Sequence, residues 1–219
     1  MIVLNCTAKA AEFLSTNADS ESIKIVPATY DDVSLDSEYL TTDNVDADSD
    51  SDWDTEPMQW QLDIKQSADT PYLVCCETET KFSLYFECDQ ISSASQFASL
   101  FFSTWAQTQK GYSERYLNQL EDDDITEMLQ TIESLQQNYH WYLRELKDGL
   151  ALTEHFQAVY NANLEPITKA QQDSEELAQQ SILKICQDWL NMTERANEFG
   201  DMLAPAEDLD MRLTMLAAM

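Results

Sequence analysis

In close succession the chain reads Trp60-Gln-Leu-Asp-Ile-Lys65, Pro71-Tyr-Leu-Val-Cys-Cys-Glu77 and Phe82-Ser-Leu-Tyr-Phe-Glu-Cys88. Apolar and polar residues alternate in the first segment, which is the pattern of a strand with one buried face. The second segment is apolar on both faces, as an interior strand would be, and the third alternates again. With a turn near Glu79 and Thr80, the sequence predicts a hairpin beside a half-buried strand.

Further elements flank these three segments. Residues 1–7 read as a strand and residues 8–14 as a short helix, while a longer helix is predicted to begin after Ser93 and to stop at Gly111. Together these segments predict an α+β domain over residues 1–111, in which a small mixed sheet has a covering helix.

The second half of the chain has a different periodicity. Apolar residues recur every three or four positions over residues 125–164 and again over residues 182–199. This spacing predicts two long amphipathic helices that form a coiled-coil-like hairpin with its break at residues 163–166. A last short helix is expected to follow from Pro205. Residues 112–219 are therefore predicted to form a C-terminal α-helical extension.

The chain is strongly acidic, with a formal net charge of −29 over 219 residues. Between Lys24 and Lys65 there is no Lys or Arg but there are twelve carboxylates, most densely in Asp46-Ala-Asp-Ser-Asp-Ser-Asp-Trp-Asp-Thr-Glu56. We expect residues 15–57 to form an acidic loop or a disordered insertion. The charge argues against direct binding to nucleic acid or to an anionic membrane, and it favours a basic protein partner.

The residue counts exclude several enzyme classes. The three glycines, Gly111, Gly149 and Gly200, are far apart, whereas a dinucleotide-binding turn, a phosphate-binding loop and a nucleophile elbow need closely spaced glycines. His140 and His155 are the only histidines, both expected within a helix, and no zinc-binding spacing is present. We therefore expect no cofactor and no metal, although a nucleophilic Cys–His pair formed in space remains an alternative.

Five cysteines without a framework spacing predict reduced thiols and a cytoplasmic protein. The N-terminus lacks the features of a signal peptide, and no segment approaches the length of apolar sequence that spans a membrane.

Two carboxylate patterns have ordinary explanations. The alternating acids from Asp46 suggest a calcium loop, but the sixth and twelfth positions are Ser51 and Pro57 rather than Gly and Glu. A solvated acidic loop is the preferred interpretation. Glu77 and Glu79, with Glu87 across the hairpin, could form an acid–base pair, but near a hairpin tip we expect solvated charges.

The first half of the chain resembles an uncharacterised bacterial family, the domain of unknown function numbered 6933. The resemblance lies in the opening Met1-Ile-Val-Leu-Asn-Cys-Thr7, the strand that begins at Trp60, the hairpin segment Tyr72-Leu-Val-Cys-Cys-Glu-Thr-Glu-Thr-Lys-Phe-Ser83 and the helix around Phe97. It implies an α+β fold and carries over no catalytic residue.

Two acidic clusters are the candidate partner-binding sites. The first is an acidic arm in which an aromatic residue stands among carboxylates, and it comprises Asp46, Asp48, Asp50, Asp52, Trp53 and Asp54. An exposed aromatic in such a segment can anchor it on a basic partner, although local packing of Trp53 is an equal alternative. The second cluster is Asp122, Asp123 and Asp124, at the expected start of a helix where the dipole favours negative charge.

Three functions from different classes are compatible with these features. The first is a non-enzymatic protein–protein interaction protein that binds a basic partner, with homo-oligomerisation through the helical hairpin as a further option. The second is a DNA mimic from a phage or mobile element that inhibits a nucleic-acid-binding or defence protein, although acidity can equally reflect a salt-adapted host. The third, an enzyme of unrecognised type, requires a pocket with convergent polar groups.

Overall fold

A computed structural model describes residues 1–15, 25–27, 57–66, 70–116, 122–196, 200 and 202–217. The strands are β1 (Ile2–Cys6), β2 (Val26–Pro27), β3 (Met58–Gln66), β4 (Pro71–Glu77), β5 (Ser83–Glu87), β6 (Tyr139–Leu143), β7 (Arg195–Ala196) and β8 (Met202–Leu203). The helices are α1 (Ala8–Ser15), α2 (Ala94–Tyr116), α3 (Asp122–Gln136), α4 (Lys147–Asp173), α5 (Glu175–Ala178), α6 (Ile182–Met192) and α7 (Pro205–Ala217).

Six strands form one mixed sheet in the order β2-β6-β1-β3-β4-β5. The central strand β1 pairs in parallel with both β3 and β6, whereas β3, β4 and β5 form an antiparallel meander. The α+β class is therefore confirmed. The predicted hairpin is also present, with Glu77 N–H donating to Phe82 O across the turn at 2.8 Å.

The larger core lies on one face of this sheet, under α1, α2, α3 and α7. The alternation in β3 places Trp60 and Leu62 on this face, and Trp60 meets Phe101 of α2 edge to face at 4.9 Å between ring centroids. The last helix, α7, is present as predicted, and its Leu209 and Leu213 are fully buried in the same cluster, so it covers this core. Burial of these large side chains is the main source of stability on this side.

A second, smaller core lies on the opposite face. Tyr72, Val74 and Cys76 of β4 pack there against Phe156 of α4 and Leu190 of α6. Both faces of β4 are consequently covered, which explains why its sequence is apolar from Pro71 to Cys76.

The prediction of one helix over residues 125–164 is wrong, because residues 139–143 form strand β6. The strand extends alongside β1, with Ile2 opposite Tyr139 and Cys6 opposite Leu143. Tyr139, Trp141 and Tyr142 are aromatic residues that favour strands, and Trp141 is buried in the larger core. The second half of the chain therefore contributes a strand to the sheet as well as helices.

Three helix ends also differ from the predictions. α2 continues through Gly111 to Tyr116, and α6 ends at Met192. Pro166 lies inside α4 and does not start a new helix, so the connection from α4 to α6 falls after Asp173 and contains the short helix α5. α4 and α6 pack against the sheet as well as against each other, in place of a separate hairpin.

Strand β5 is an edge of the sheet, and side chains of α6 occupy its outer hydrogen-bonding groups. Ser83 N–H donates to Asn191 Oδ1 and Asn191 Nδ2 donates to Ser83 O, both at 2.8 Å. One turn earlier on α6, Gln187 Oε1 accepts from Tyr85 N–H at 3.2 Å. The two amides therefore act as a substitute neighbouring strand and protect an edge that could otherwise pair with another chain.

We expect Asn191→Ala to lower the free energy of unfolding by about 2 kcal/mol, because it leaves the buried N–H and C=O of Ser83 without partners. It should also promote concentration-dependent association, measured by analytical ultracentrifugation alongside urea denaturation. Asn161→Ala, at an exposed position of α4, is the matched control and should change stability by less than about 0.5 kcal/mol. Equal stabilities for the two variants would contradict the protective role of Asn191.

Candidate functional site

The acidic arm (Asp46, Asp48, Asp50, Asp52, Trp53 and Asp54) lies outside the described residues. The second predicted cluster, Asp122–Asp124, forms the first turn of α3. That position agrees with the expected location of these acids at a helix N-terminus. The roles of both clusters in partner binding stay predictions.

The polar face of β3 is buried, although the alternating sequence predicted that it would be exposed. Gln61 is fully buried, and Asp63 and Lys65 are each 8% exposed. The N-terminal half of α4 covers this face, so the strand is enclosed on both sides. Buried polar groups require hydrogen-bond partners, and the residues around this face supply them.

Gln61 connects three elements at the centre of this polar layer. Its Nε2 donates to Asn5 O of β1 at 3.0 Å, and its Oε1 accepts from Leu146 N–H at 2.7 Å, just before α4. Gly149 of α4 lies directly above it, where a Cβ atom on Gly149 would be 2.4 Å from the Gln61 Cβ. The absence of a side chain at Gly149 is therefore what allows α4 to pack this closely on β3.

Lys65 is held between two carboxylates at the end of the same layer. Its Nζ lies 2.7 Å from Asp63 and 2.5 Å from Glu154 of α4, and Asp63 also accepts from the Thr7 hydroxyl at 2.8 Å. Burial alone would lower the pKa of Lys65, but the bonds to the two carboxylates raise it above its ordinary value. Lys65 thus stays charged and ties α4 to the sheet.

Arg144 performs a similar role at the other end of the polar layer, just before α4. Its Nε donates to Asn5 Oδ1 at 3.0 Å and its Nη2 donates to Gln59 Oε1 at 2.5 Å. This guanidinium group is directed into the fold, where it joins the end of β6 to β1 and β3.

Glu77 was expected to be a solvated charge, but the structure buries it completely. It accepts hydrogen bonds from Thr80 N–H at 2.7 Å and from the Thr80 hydroxyl at 2.8 Å, which closes the hairpin turn. Arg212 of α7 lies 3.2 Å from Glu77 and also pairs with Glu79. Burial raises the pKa of Glu77, against the opposing effects of Arg212 and Thr80.

Glu87 does not join this group, because it lies opposite Tyr72 at the far end of the β4–β5 pair. The three carboxylates of the hairpin are thus not assembled into one site. The geometry at Glu77 is that of a structural ion pair that holds α7 on the sheet.

The cysteine thiols are buried and reduced. Burial raises the pKa of Cys6 and Cys76 to about 12 and that of Cys88 and Cys186 to about 11, and it also raises the pKa of Cys75 well above its ordinary value. A thiol must ionise to act as a nucleophile, so these residues are poorly suited to a Cys–His mechanism.

The two histidines lie on different elements. His140 is on strand β6, not on a helix as predicted, and His155 is on α4 beside Arg195 of β7. Within the described ranges, no three His, Cys, Asp or Glu side chains come together in a way that could hold a metal ion. None of the helices in the described part of the chain is long and apolar enough to cross a membrane.

The exposed acids of the helices contrast with the cations held in the fold. Lys65, Arg144 and Arg212 make the buried contacts described above. The exposed carboxylates of α3, α4 and α5 include Glu127, Glu133, Asp148, Glu165, Asp173 and Glu175. The fold thus directs these three cations inward, and on α4 the exposed carboxylates outnumber the exposed Lys147 and Lys169. The resulting acidic surface over the helices is the candidate interaction surface.

These features define an α+β protein with a mixed sheet between two helical layers and an acidic exterior. No protein-family model matches the chain, and no curated protein matches it. The resemblance of its first half to the domain family of unknown function accordingly stays a prediction.

Proposed function

We propose that this is a non-enzymatic interaction protein that binds a basic protein partner through its acidic surface and its acidic arm. The observation that carries this proposal is the unequal placement of charge. Arg144 and Arg212 are held by partners within the fold, whereas the carboxylates of α3 and α4 face solvent. An excess of negative charge accelerates association with a basic surface and selects against acidic partners.

The buried polar groups support the same proposal. Gln61, Lys65 and Glu77 could have belonged to a catalytic site, but each one joins a helix or turn to the sheet. Their hydrogen bonds account for their positions without a substrate.

The general interaction function is preferred to the DNA-mimic alternative. On α4 the exposed carboxylates Asp148, Glu154, Glu165 and Asp173 are about 9 to 17 Å apart along the axis, at ~1.5 Å per residue. DNA presents one negative charge per ~1.7 Å of axis. This helix is therefore much sparser in charge than the DNA that it would imitate, and mimicry stays a prediction.

The proposal can be tested by capturing the partner from host lysate and then measuring its dissociation constant at several salt concentrations. We expect replacement of the arm acids Asp46, Asp48, Asp50, Asp52 and Asp54 by Asn to weaken binding at least about tenfold at low salt, because five charges are lost. The dependence of binding on salt should flatten in parallel.

Two comparisons make this test specific. Glu127→Gln/Glu133→Gln removes exposed charge from α3 and leaves the arm intact, so it separates the contribution of the helices from that of the arm. Trp53→Ala tests the aromatic anchor without changing the charge. Unchanged affinity in both charge variants would contradict the proposed function, whereas loss in the α3 variant alone would restrict it to the helical surface.

A further inference from the structure

Two neighbouring side chains of α2 carry buried polar atoms that the fold leaves without a hydrogen bond. They are Trp105 Nε1 and Gln109 Oε1, and neither atom has a partner among the described residues. Both side chains are fully buried. Buried polar groups are normally hydrogen-bonded, so two unused groups on one helix require an explanation.

Trp105 and Gln109 are complementary in chemistry and in position. The indole N–H of Trp105 can only donate a hydrogen bond, and the carbonyl oxygen of Gln109 can only accept one. The two residues are four positions apart in α2, so their side chains are neighbours on the same face of the helix. An unused donor and an unused acceptor therefore lie one helical turn apart, and they do not bond to each other.

The contact between α2 and α7 fixes the orientation of the Gln109 amide. Gln109 Nε2 donates to Ala206 O, in the first turn of α7, at 2.8 Å. The opposite orientation of the amide would place its oxygen against the carbonyl oxygen of Ala206, which would bring two acceptors together. The oxygen of Gln109 is thus held away from Ala206, and its donor has to come from another group.

We propose that one buried water molecule bridges Trp105 Nε1 and Gln109 Oε1. Water can accept from the indole N–H and donate to the amide oxygen at the same time. An ion is a poor occupant, because the Trp105 ring lies 5.2 Å from that of Trp60, 6.0 Å from Phe101 and 6.3 Å from Phe102, where a charge would be uncompensated. Trp60 Nε1 also has no partner, so it is available as a second donor to the water. Three hydrogen bonds are typical of a buried water molecule.

This water molecule extends the connection between α2 and α7. It restrains the same Gln109 amide that holds Ala206, so the first turn of α7 is tied to α2 through a direct bond and a hydrated one. Water-mediated bonds of this kind are enthalpically close to direct bonds.

The proposal is tested by NMR on the ¹⁵N-labelled full chain, with water as the probe. A water molecule held longer than the tumbling time of the protein gives NOE and ROE cross-peaks of opposite sign, whereas proton exchange gives the same sign in both. We expect cross-peaks of opposite sign at the Trp105 indole N–H. The indole of Trp189, which is 53% exposed, is the internal control and should lack them. Their absence at Trp105 would overturn the proposal, and this measurement needs no variant.

A matched pair of substitutions on α2 then identifies the acceptor. Gln109→Met removes the amide oxygen and should abolish the water cross-peaks of Trp105. Gln107→Met makes the same change at an exposed position of this helix and should leave them intact. Cross-peaks that persist in a folded Gln109→Met protein would show that Gln109 does not hold the water, which would also overturn the proposed bridge.

Discussion

Gly149→Ala is expected to lower the free energy of unfolding by about 3 kcal/mol, the upper part of the range for overpacking a buried contact. The added methyl group would lie 2.4 Å from the Gln61 Cβ and 2.9 Å from its Cγ. The Gln61 Cβ is bonded directly to the backbone of β3, so it cannot move aside as the end of a flexible side chain could. α4 would have to shift, which would stretch the bond from Leu146 N–H to Gln61.

Chemical denaturation of the purified variant measures this effect, and Gly111→Ala is its matched control. Gly111 lies within α2, and a Cβ there would have no atom within 4 Å. The same substitution should therefore raise stability at Gly111 by about 0.5 to 1 kcal/mol, because alanine loses less backbone entropy in a helix. Stabilisation at both positions would contradict the close packing of α4 on β3.

Local periodicity correctly predicted the strands and helices in which buried residues recur at regular intervals along the sequence. Trp60 and Leu62 alternate with polar residues, and the hairpin from Pro71 to Glu87 follows from an apolar run and an alternating segment on either side of a turn. The predicted first helix is also present, and Thr7 caps it, because Ala10 N–H donates to its hydroxyl at 3.2 Å. In these segments the local preference and the tertiary structure agree.

Strand β6 could not be identified from spacing alone. Helical intervals separate Leu135, Tyr139, Tyr142 and Leu146, yet these residues do not share a helix. Leu135 is in the last turn of α3, the two tyrosines are in β6, and Leu146 directly precedes α4. Only pairing with β1 makes the strand favourable, and a single sequence does not reveal that partner.

The candidate site has the same limitation. From the sequence alone, the polar residues of β3 indicate an exposed face, because the sequence does not show that α4 covers it. Glu77 likewise indicates a solvated charge, because the sequence does not show that Arg212 reaches it. The net charge of the chain, in contrast, follows from the amino-acid composition alone and can be predicted without knowing the fold.

Arg212→Met should lower the free energy of unfolding by about 3 kcal/mol at pH 7, since it leaves the Glu77 carboxylate buried without its cation. Glu77 is fully buried, and the Arg212 side chain is 18% exposed, so water cannot replace the lost partner fully. The methionine keeps most of the aliphatic packing of Arg212 on the sheet. Denaturation in urea at constant ionic strength measures the loss.

The size of this loss should depend on pH. Burial raises the pKa of Glu77 above its ordinary value near 4.5, so the folded protein holds this proton to a higher pH than the unfolded chain does. Protonated Glu77 therefore contributes to the stability of the fold. This contribution is fully present below the pKa of the unfolded chain, and it is lost as the pH rises through the pKa of Glu77 in the folded protein. Removal of Arg212 raises the folded pKa of Glu77 further. The deficit of Arg212→Met should therefore be largest at pH 7 to 8 and should shrink towards pH 5.

A double-mutant cycle assigns this effect to the pair. Glu77→Gln removes the titrating group, so Glu77→Gln/Arg212→Met should lack the excess pH dependence of Arg212→Met and should be less destabilised than the sum of the two single changes. Lys110→Met is the matched control, because Lys110 and Glu114 are each at least half exposed and its loss should change stability by less than about 0.5 kcal/mol. A deficit for Arg212→Met that is constant from pH 5 to pH 8 would show that α7 is held by its apolar contacts, with Leu209 and Leu213 anchoring it in the larger core.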